Sequence, residues 1–133
     1  MPVYYRYSRY CKGGSMKIRN YRQVESVKAA PGVAMRVVAG TSEGAPTFVM
    51  RVFEIQQGSA TPLHTHPWEH EVYVLAGKGV VRSGGKETAL AEGDAATMLP
   101  NEQHSFLNAG KDVFRMICVV PLVNGKMPGM SQD

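Results

Sequence analysis

In the stretch His64-Thr65-His66-Pro67-Trp68-Glu69-His70-Glu71-Val72-Tyr73-Val74-Leu75-Ala76-Gly77, three of the chain's four histidines fall within seven residues and lead directly into an apolar, β-branched run that a glycine closes. Side chains two apart on an extended segment point the same way, so His64 and His66 project together. Pro67 disfavours regular pairing and marks a turn before the next strand. That strand carries His70, Val72, Val74 and Ala76 on one face and Glu71, Tyr73 and Leu75 on the other. Glu69 and Glu71 therefore turn away from His70, toward solvent or a supporting role.

Outward from this stretch the same texture repeats. Segments rich in β-branched and aromatic residues run from Val33 to Ala39, Thr47 to Ile55, Gly79 to Arg82, Ala95 to Leu99 and Val113 to Val120. Turn residues separate them at Gly40, Gly44, Gly58, Gly77, Ser83-Gly84-Gly85, Gly93 and Gly110. Many short strands between regular turns predict an all-β sandwich or barrel, with few or no helices. In the last segment Phe114, Met116, Cys118 and Val120 are expected inward, and Val113, Arg115, Ile117 and Val119 toward solvent. Arg51 and Glu54 fall on opposite faces of their strand, so one of these charges must be buried, at an edge or beside a bulge.

A chain of 133 residues with 44% hydrophobic and 20% charged residues is the size and make-up of one globular domain. Its net charge of +4 is unevenly placed. Arg6, Arg9, Lys12, Lys17, Arg19 and Arg22 all precede the first acid, Glu25, and without them nine basic residues face eleven acidic ones. The basicity thus belongs to a tail, assigned to residues 1–22, ahead of a domain at 23–124 and a C-terminal tail at 125–133. Gly13, Gly14 and Ser15 precede Met16, where the ordered fold is expected to begin. Tyr4, Tyr5, Tyr7, Tyr10 and Tyr21 would let such an arm touch phosphates and stack on bases. A solvated leader is the commoner meaning of a charge run, and no nucleic-acid partner is expected. Two cysteines, Cys11 and Cys118, form no disulfide framework, and no apolar run reaches the length of a signal-peptide core or a membrane span. The reading is a cytoplasmic protein with reduced thiols.

A histidine met alone is ordinarily a hydrogen-bonded core or surface residue. Here every histidine of the chain lies within forty-one residues, His104 following His70 by thirty-four. Imidazole is a common ligand of first-row divalent metals, so His64, His66, His70 and His104 are assigned to one mononuclear site.

At these residues the chain resembles the cupin family, whose first motif runs glycine, five residues, H-x-H, three or four residues, glutamate, six residues, glycine. Gly58, His64, His66 and Gly77 fit that frame, and His70 stands where most cupins have a carboxylate ligand. The second motif matches at Gly93, His104 and Asn108, although its proline comes one position late, at Pro100, and Glu102 replaces its glycine. The resemblance extends over about residues 30–121 and implies a double-stranded β-helix, or jelly-roll barrel. The stretch His64 to Gly77, with Pro100 to His104, looks closely like the small single-domain cupins that bind manganese through four histidines.

Manganese is the metal this resemblance implies, with iron second and nickel, copper or zinc possible on the affinity order of such donors. Four neutral ligands leave the ion's double charge uncompensated, which favours anionic or oxygen ligands at open positions. Arg51, Phe106, Met116 and Cys118 are the expected pocket wall. The resemblance implies a metal-dependent oxidoreductase, oxygenase-like, acting on a small organic substrate. A non-catalytic cupin that binds a small anion or sugar is the alternative, and a sugar-type isomerase is third, since apart from Arg51 no phosphate clamp is evident. Cupins pair through an N-terminal strand, so a homodimer formed by exchange of Val33 to Ala39 is expected.

Overall fold

Nine strands follow one another along the chain: β1 (Val27–Ala30), β2 (Val33–Ala39), β3 (Phe48–Ile55), β4 (His70–Ala76), β5 (Lys78–Ser83), β6 (Lys86–Ala91), β7 (Ala95–Met98), β8 (Ser105–Asn108) and β9 (Phe114–Pro121). They are seen in a computed structural model that describes residues 16–129. The helical pieces among the described residues are two three-residue 3₁₀ turns, Tyr21–Gln23 and Thr41–Glu43. The strands form two antiparallel sheets, one in the order β1-β2-β3-β9-β4-β7 and one in the order β6-β5-β8. Their inner faces enclose a core that includes Val33, Val49, Ile55, Val72, Val74, Phe106, Phe114, Met116 and Val120. This is the two-sheet jelly-roll architecture, in which every inward side chain alternates with an outward one.

β9 shows that alternation over its whole length, with Phe114, Met116, Cys118 and Val120 buried. Its other face departs from expectation: Arg115, Ile117 and Val119 are half-buried, not open to solvent. The reason is that β9 lies inside its sheet, between β3 and β4, and the N-terminal segment folds over part of that face. Tyr21 puts its ring within 5.5 Å of the guanidinium carbons of Arg22, Arg36 and Arg115, and Arg19 forms an ion pair with Glu43. Arg19 and Tyr21, grouped with the tail, therefore pack on the barrel, while Lys17, Ile18 and Arg22 are exposed. The rest of the basic arm, with Tyr4, Tyr5, Tyr7, Tyr10 and Cys11, lies outside the described residues, as do residues 130–133. At the other end Met127 packs on the core.

The opposed charges on β3 are resolved by burial. Arg51 is 7% exposed and points inward, while Glu54 faces outward and pairs with Arg36 on β2 and Arg115 on β9. A register shift in β2 between Val37 and Ala39 lies directly opposite Arg51 and Met50, so a bulge does accompany the buried charge.

β2 has both of its edges occupied, by β1 and β3 of the same chain. At this end of the sheet the edge strand is therefore β1, while Val33 to Ala39, the segment expected to exchange in a homodimer, is paired on both sides within the chain. Three strands, β1, β6 and β8, were not predicted. β6 is exposed at five of its six positions, and β1 and β8 are four residues each, too short for an apolar period to register.

Gly77 turns the chain from β4 into β5 at φ +86°, and a Cβ there would come within 2.5 Å of the Val113 carbonyl oxygen. Both facts require glycine at the motif's closing position.

Candidate metal centre

The segment that carries the first two histidines runs antiparallel to β8. Thr61 N–H donates to the Phe106 carbonyl, and His64 and His104 exchange backbone hydrogen bonds of 3.2 and 3.1 Å. His64 and His104 thus sit opposite each other as a cross-strand pair, and the two-residue period places His66 on the same side. The Asn101 N–H donates to the His66 carbonyl at 2.7 Å, with Asn101 in the left-handed region at φ 68°. The turn before His104 is therefore rebuilt around asparagine, and Glu102, in the position expected for glycine, caps it through a 3.0 Å bond from the Leu99 N–H. His70 comes from the other sheet, at the start of β4.

Three imidazoles are tethered alike. The Nδ1 atoms of His64, His66 and His104 lie 2.6, 2.7 and 2.7 Å from the carbonyl oxygens of Pro62, Trp68 and Glu102. A carbonyl only accepts, so each Nδ1 carries the proton and each Nε2 presents a lone pair. One nitrogen from each of these three rings lies within 4.8 Å of the others, an arrangement able to hold a metal ion. His70 is not one of that trio but stands beside it: its ring centroid is 4.4 Å from that of His104, and its Nε2 lies 2.8 Å from the His104 Nε2. Its Nδ1 is 2.9 Å from the Cys118 sulfur.

The donor set fits a metal. With His104 Nδ1–H on the Glu102 carbonyl, His104 Nε2 accepts from His70 Nε2–H in one tautomer of His70; in the other, with Nδ1–H donated to the Cys118 sulfur, His70 presents its Nε2 lone pair beside that of His104 and the two can share a cation. Ligand bonds of about 2.0–2.1 Å put neighbouring nitrogens on one ion about 3 Å apart, close to the separation seen. Burial acts in the same direction, since it disfavours the protonated ring. Desolvation, with the neighbouring His104, His66 and Arg51, pushes His70 down to about 3. His66 and His104 are lowered by desolvation first. Neutral rings are the form that ligates.

All four histidines line one cavity of about 260 Å³. Arg51, Phe106, Met116 and Cys118 line it too, as do Phe53, Thr61, Trp68 and, from the C-terminal segment, Pro128. Trp68 stacks on His66 with centroids 4.5 Å apart and planes 2° from parallel, which fixes the orientation of that ring. Sequence reasoning passed over Trp68 although it sits inside the first motif, and Phe53 although it shares the inward face of Arg51. Pro128 carries no local signal. Glu69 and Glu71 stay outside the cavity, exposed and bonded to each other, which raises the Glu71 carboxyl. Burial raises the Cys118 thiol despite the adjacent Arg51, so the sulfur is held as a thiol.

No helix among the described residues is long and apolar enough to cross a membrane. Residues 51–120 match the family model described as a cupin domain. Over 71 residues the chain is 32% identical to the oxalate-binding protein of Thermotoga maritima, an alignment that covers 53% of this chain and 59% of that protein's length. Among solved structures it is similar to the polyketide cyclase RemF from Streptomyces resistomycificus, with a TM-score of 0.74 and 30% identity over 80% of this chain and 79% of that one. A predicted oxalate decarboxylase from Thermotoga maritima superposes with a TM-score of 0.67 and 24% identity over 78% and 97% of the two chains, a likeness of fold alone. On the family match, the two-sheet fold and the histidines that its motifs align, this chain belongs to the cupin family.

Proposed function

We propose that the chain is a metal-dependent oxidoreductase, oxygenase-like, in which His64, His66, His70 and His104 hold one divalent ion and the cavity takes a small oxygen-bearing organic substrate. The observation that carries this reading is the common tether of three rings, each Nδ1 bonded to a carbonyl so that its Nε2 is left to ligate. A bound ion supplies a Lewis acid whose double charge no protein carboxylate offsets, with coordination positions left open for oxygen donors.

The chain's own residues complete the pocket. Phe53, Trp68, Phe106 and Met116 offer flat, polarisable walls that exclude water and hold a planar body. Among the described lining residues there is no aspartate or glutamate. General acid–base work by a carboxylate, on which sugar isomerisation depends, is thus poorly served, while chemistry centred on the metal needs none. Manganese or iron suits the oxygenase reading, although a site of imidazoles takes up copper, nickel or zinc more tightly when metals compete freely.

A second reading, ring closure of an enolisable polycarbonyl compound, is favoured by the 30% identity to a polyketide cyclase. The two readings separate on oxygen. Protein loaded with manganese or iron is given a panel of phenols, aryl alkenes and 1,3-diketones in air and under argon, beside His70→Ala and His104→Ala. Turnover that requires oxygen and is lost in both variants is the expected result. Turnover that persists under argon assigns the cyclase reading, and saturable binding with no turnover in either atmosphere overturns both in favour of a binding module.

A further inference from the structure

Arg51 is a buried cation that the fold leaves without a counter-charge. It is 7% exposed, and no carboxylate lies within ion-pair distance of it among the described residues, whereas Arg36 and Arg115 on the neighbouring strands both reach Glu54. Its Nη2 donates to the Cys118 sulfur at 3.0 Å, and its Nε is buried with no partner at all. The guanidinium carbon lies 5.1 Å from the Phe53 ring centroid. A guanidinium removed from water without an anion or a full set of acceptors is destabilising, and proteins keep such a group where something else supplies the anion.

The position of Arg51 says where that anion sits. Arg51 pairs directly with Cys118 across β3 and β9, and the same Cys118 sulfur that accepts from Nη2 is 2.9 Å from Nδ1 of His70. One sulfur atom therefore separates the guanidinium from a ring of the metal centre, and both border the cavity of about 260 Å³. A cavity of about 150 Å³ accepts benzene, so this space holds an aromatic ring together with a carboxylate.

We propose that Arg51 is the carboxylate receptor of this site, selecting small organic acids that bear a second oxygen near the carboxylate, which sits on the guanidinium while the second oxygen faces the histidines. Placement of the second oxygen rests on the metal-centre reading above; the carboxylate contact does not. The fork of N–H donors on arginine suits a carboxylate, and Nη1, which makes no hydrogen bond among the described residues, supplies an arm of that contact.

The test measures binding of salicylate and of its neutral isostere salicylamide by calorimetry. The protein is the whole chain, loaded with zinc because zinc has no redox chemistry, and separately stripped with chelator. The wild type is expected to prefer salicylate by about tenfold or more, the scale of one charge-assisted pair. Arg51→Gln is expected to reduce that preference to within about twofold, and Arg51→Lys to retain part of it. Equal binding of the two probes to the wild type overturns the proposal, and this arm stands even if a variant does not fold. A preference unchanged in folded Arg51→Gln also overturns it, because the carboxylate would then be held by the metal. Metal uptake is measured independently by elemental analysis. A protein that takes up no zinc but keeps the Arg51-dependent preference supports the receptor and overturns the metal-centre reading instead.

Discussion

His70 is where this chain departs from the commoner cupin pattern, and its surroundings show what the departure does. A glutamate at the start of β4 would bring a negative charge into a cavity that already holds a buried arginine. Histidine brings a neutral ligand, and burial with three neighbouring imidazoles keeps it neutral down to about pH 3. The unfolded chain protonates this residue near pH 6.5, so the unfolded state binds more protons throughout the interval between the two values. Stability of the metal-free protein is therefore expected to fall as the pH is lowered from about 6.5 toward 3, and His70→Asn to flatten that dependence. Urea midpoints at a series of pH values check it; a slope unchanged by the substitution would show that other groups carry the effect. Histidine at this position is plain in the sequence. The sulfur beside its Nδ1 is not, because Cys118 lies forty-eight residues away on β9.

Among the elements, β8 is only four residues long, yet it carries the residues on either side of which the site is built. Asn108 anchors its far end. Its Nδ2 donates to the carbonyls of Ile55 and Asp112 at 2.7 and 2.8 Å, and its Oδ1 accepts from the Gly110 N–H at 2.8 Å, with the residue 2% exposed. Three backbone groups, that of Ile55 buried and those of Gly110 and Asp112 partly so, thus depend on one amide, which ties β8 to the end of β3 and to the turn before β9. Asn108→Ala leaves them unsatisfied and is expected to cost about 2–3 kcal/mol. Asn108→Asp is expected to cost at least as much, because a carboxylate cannot donate to the two carbonyls. Urea unfolding measures both, and a loss below about 0.5 kcal/mol for either would mean that water replaces the amide. β8 itself escaped prediction because Ser-Phe-Leu-Asn has too few residues to show a period, although its asparagine and the preceding His104 fit a motif.

At the scale of the whole molecule, the histidines come from both of the sheets that share the apolar core. His70 belongs to the six-stranded sheet, His104 precedes β8 of the three-stranded one, and His64 and His66 lie on the segment that extends the smaller sheet. An ion held by all four cross-links the two sheets, and whatever binds only the folded state stabilises it by mass action. Free metal at a hundredfold excess over its Kd is expected to add about 2.7 kcal/mol of stability. Chelator is expected to remove that increment, and His104→Ala to abolish it. Calorimetric melting with and without chelator checks this, and identical curves for the wild type would argue against metal binding in the folded state.

Some of this was written in the local sequence. The all-β jelly roll is legible because two-residue alternation in β4 and β9, and glycines such as Gly77 at a positive φ, are consequences of nearest-neighbour sterics and burial. The spacing of His64, His66 and His70 is legible for the same reason, since strand geometry alone projects the first two rings together. What only the tertiary structure decided is the company these residues keep. Arg51 could have been an exposed edge charge; its strand pairing with β9 makes it a buried, uncompensated cation beside Cys118. Trp68 could have been any turn aromatic; the path of the chain lays it flat on His66. Arg19 and Tyr21 read as part of a charged tail until the folded chain brought Glu43 of the 3₁₀ turn and Arg36 and Arg115 of the sheet against them. Periodicity specifies which way a side chain points, and strand order, set by contacts between residues far apart in sequence, specifies what it meets there.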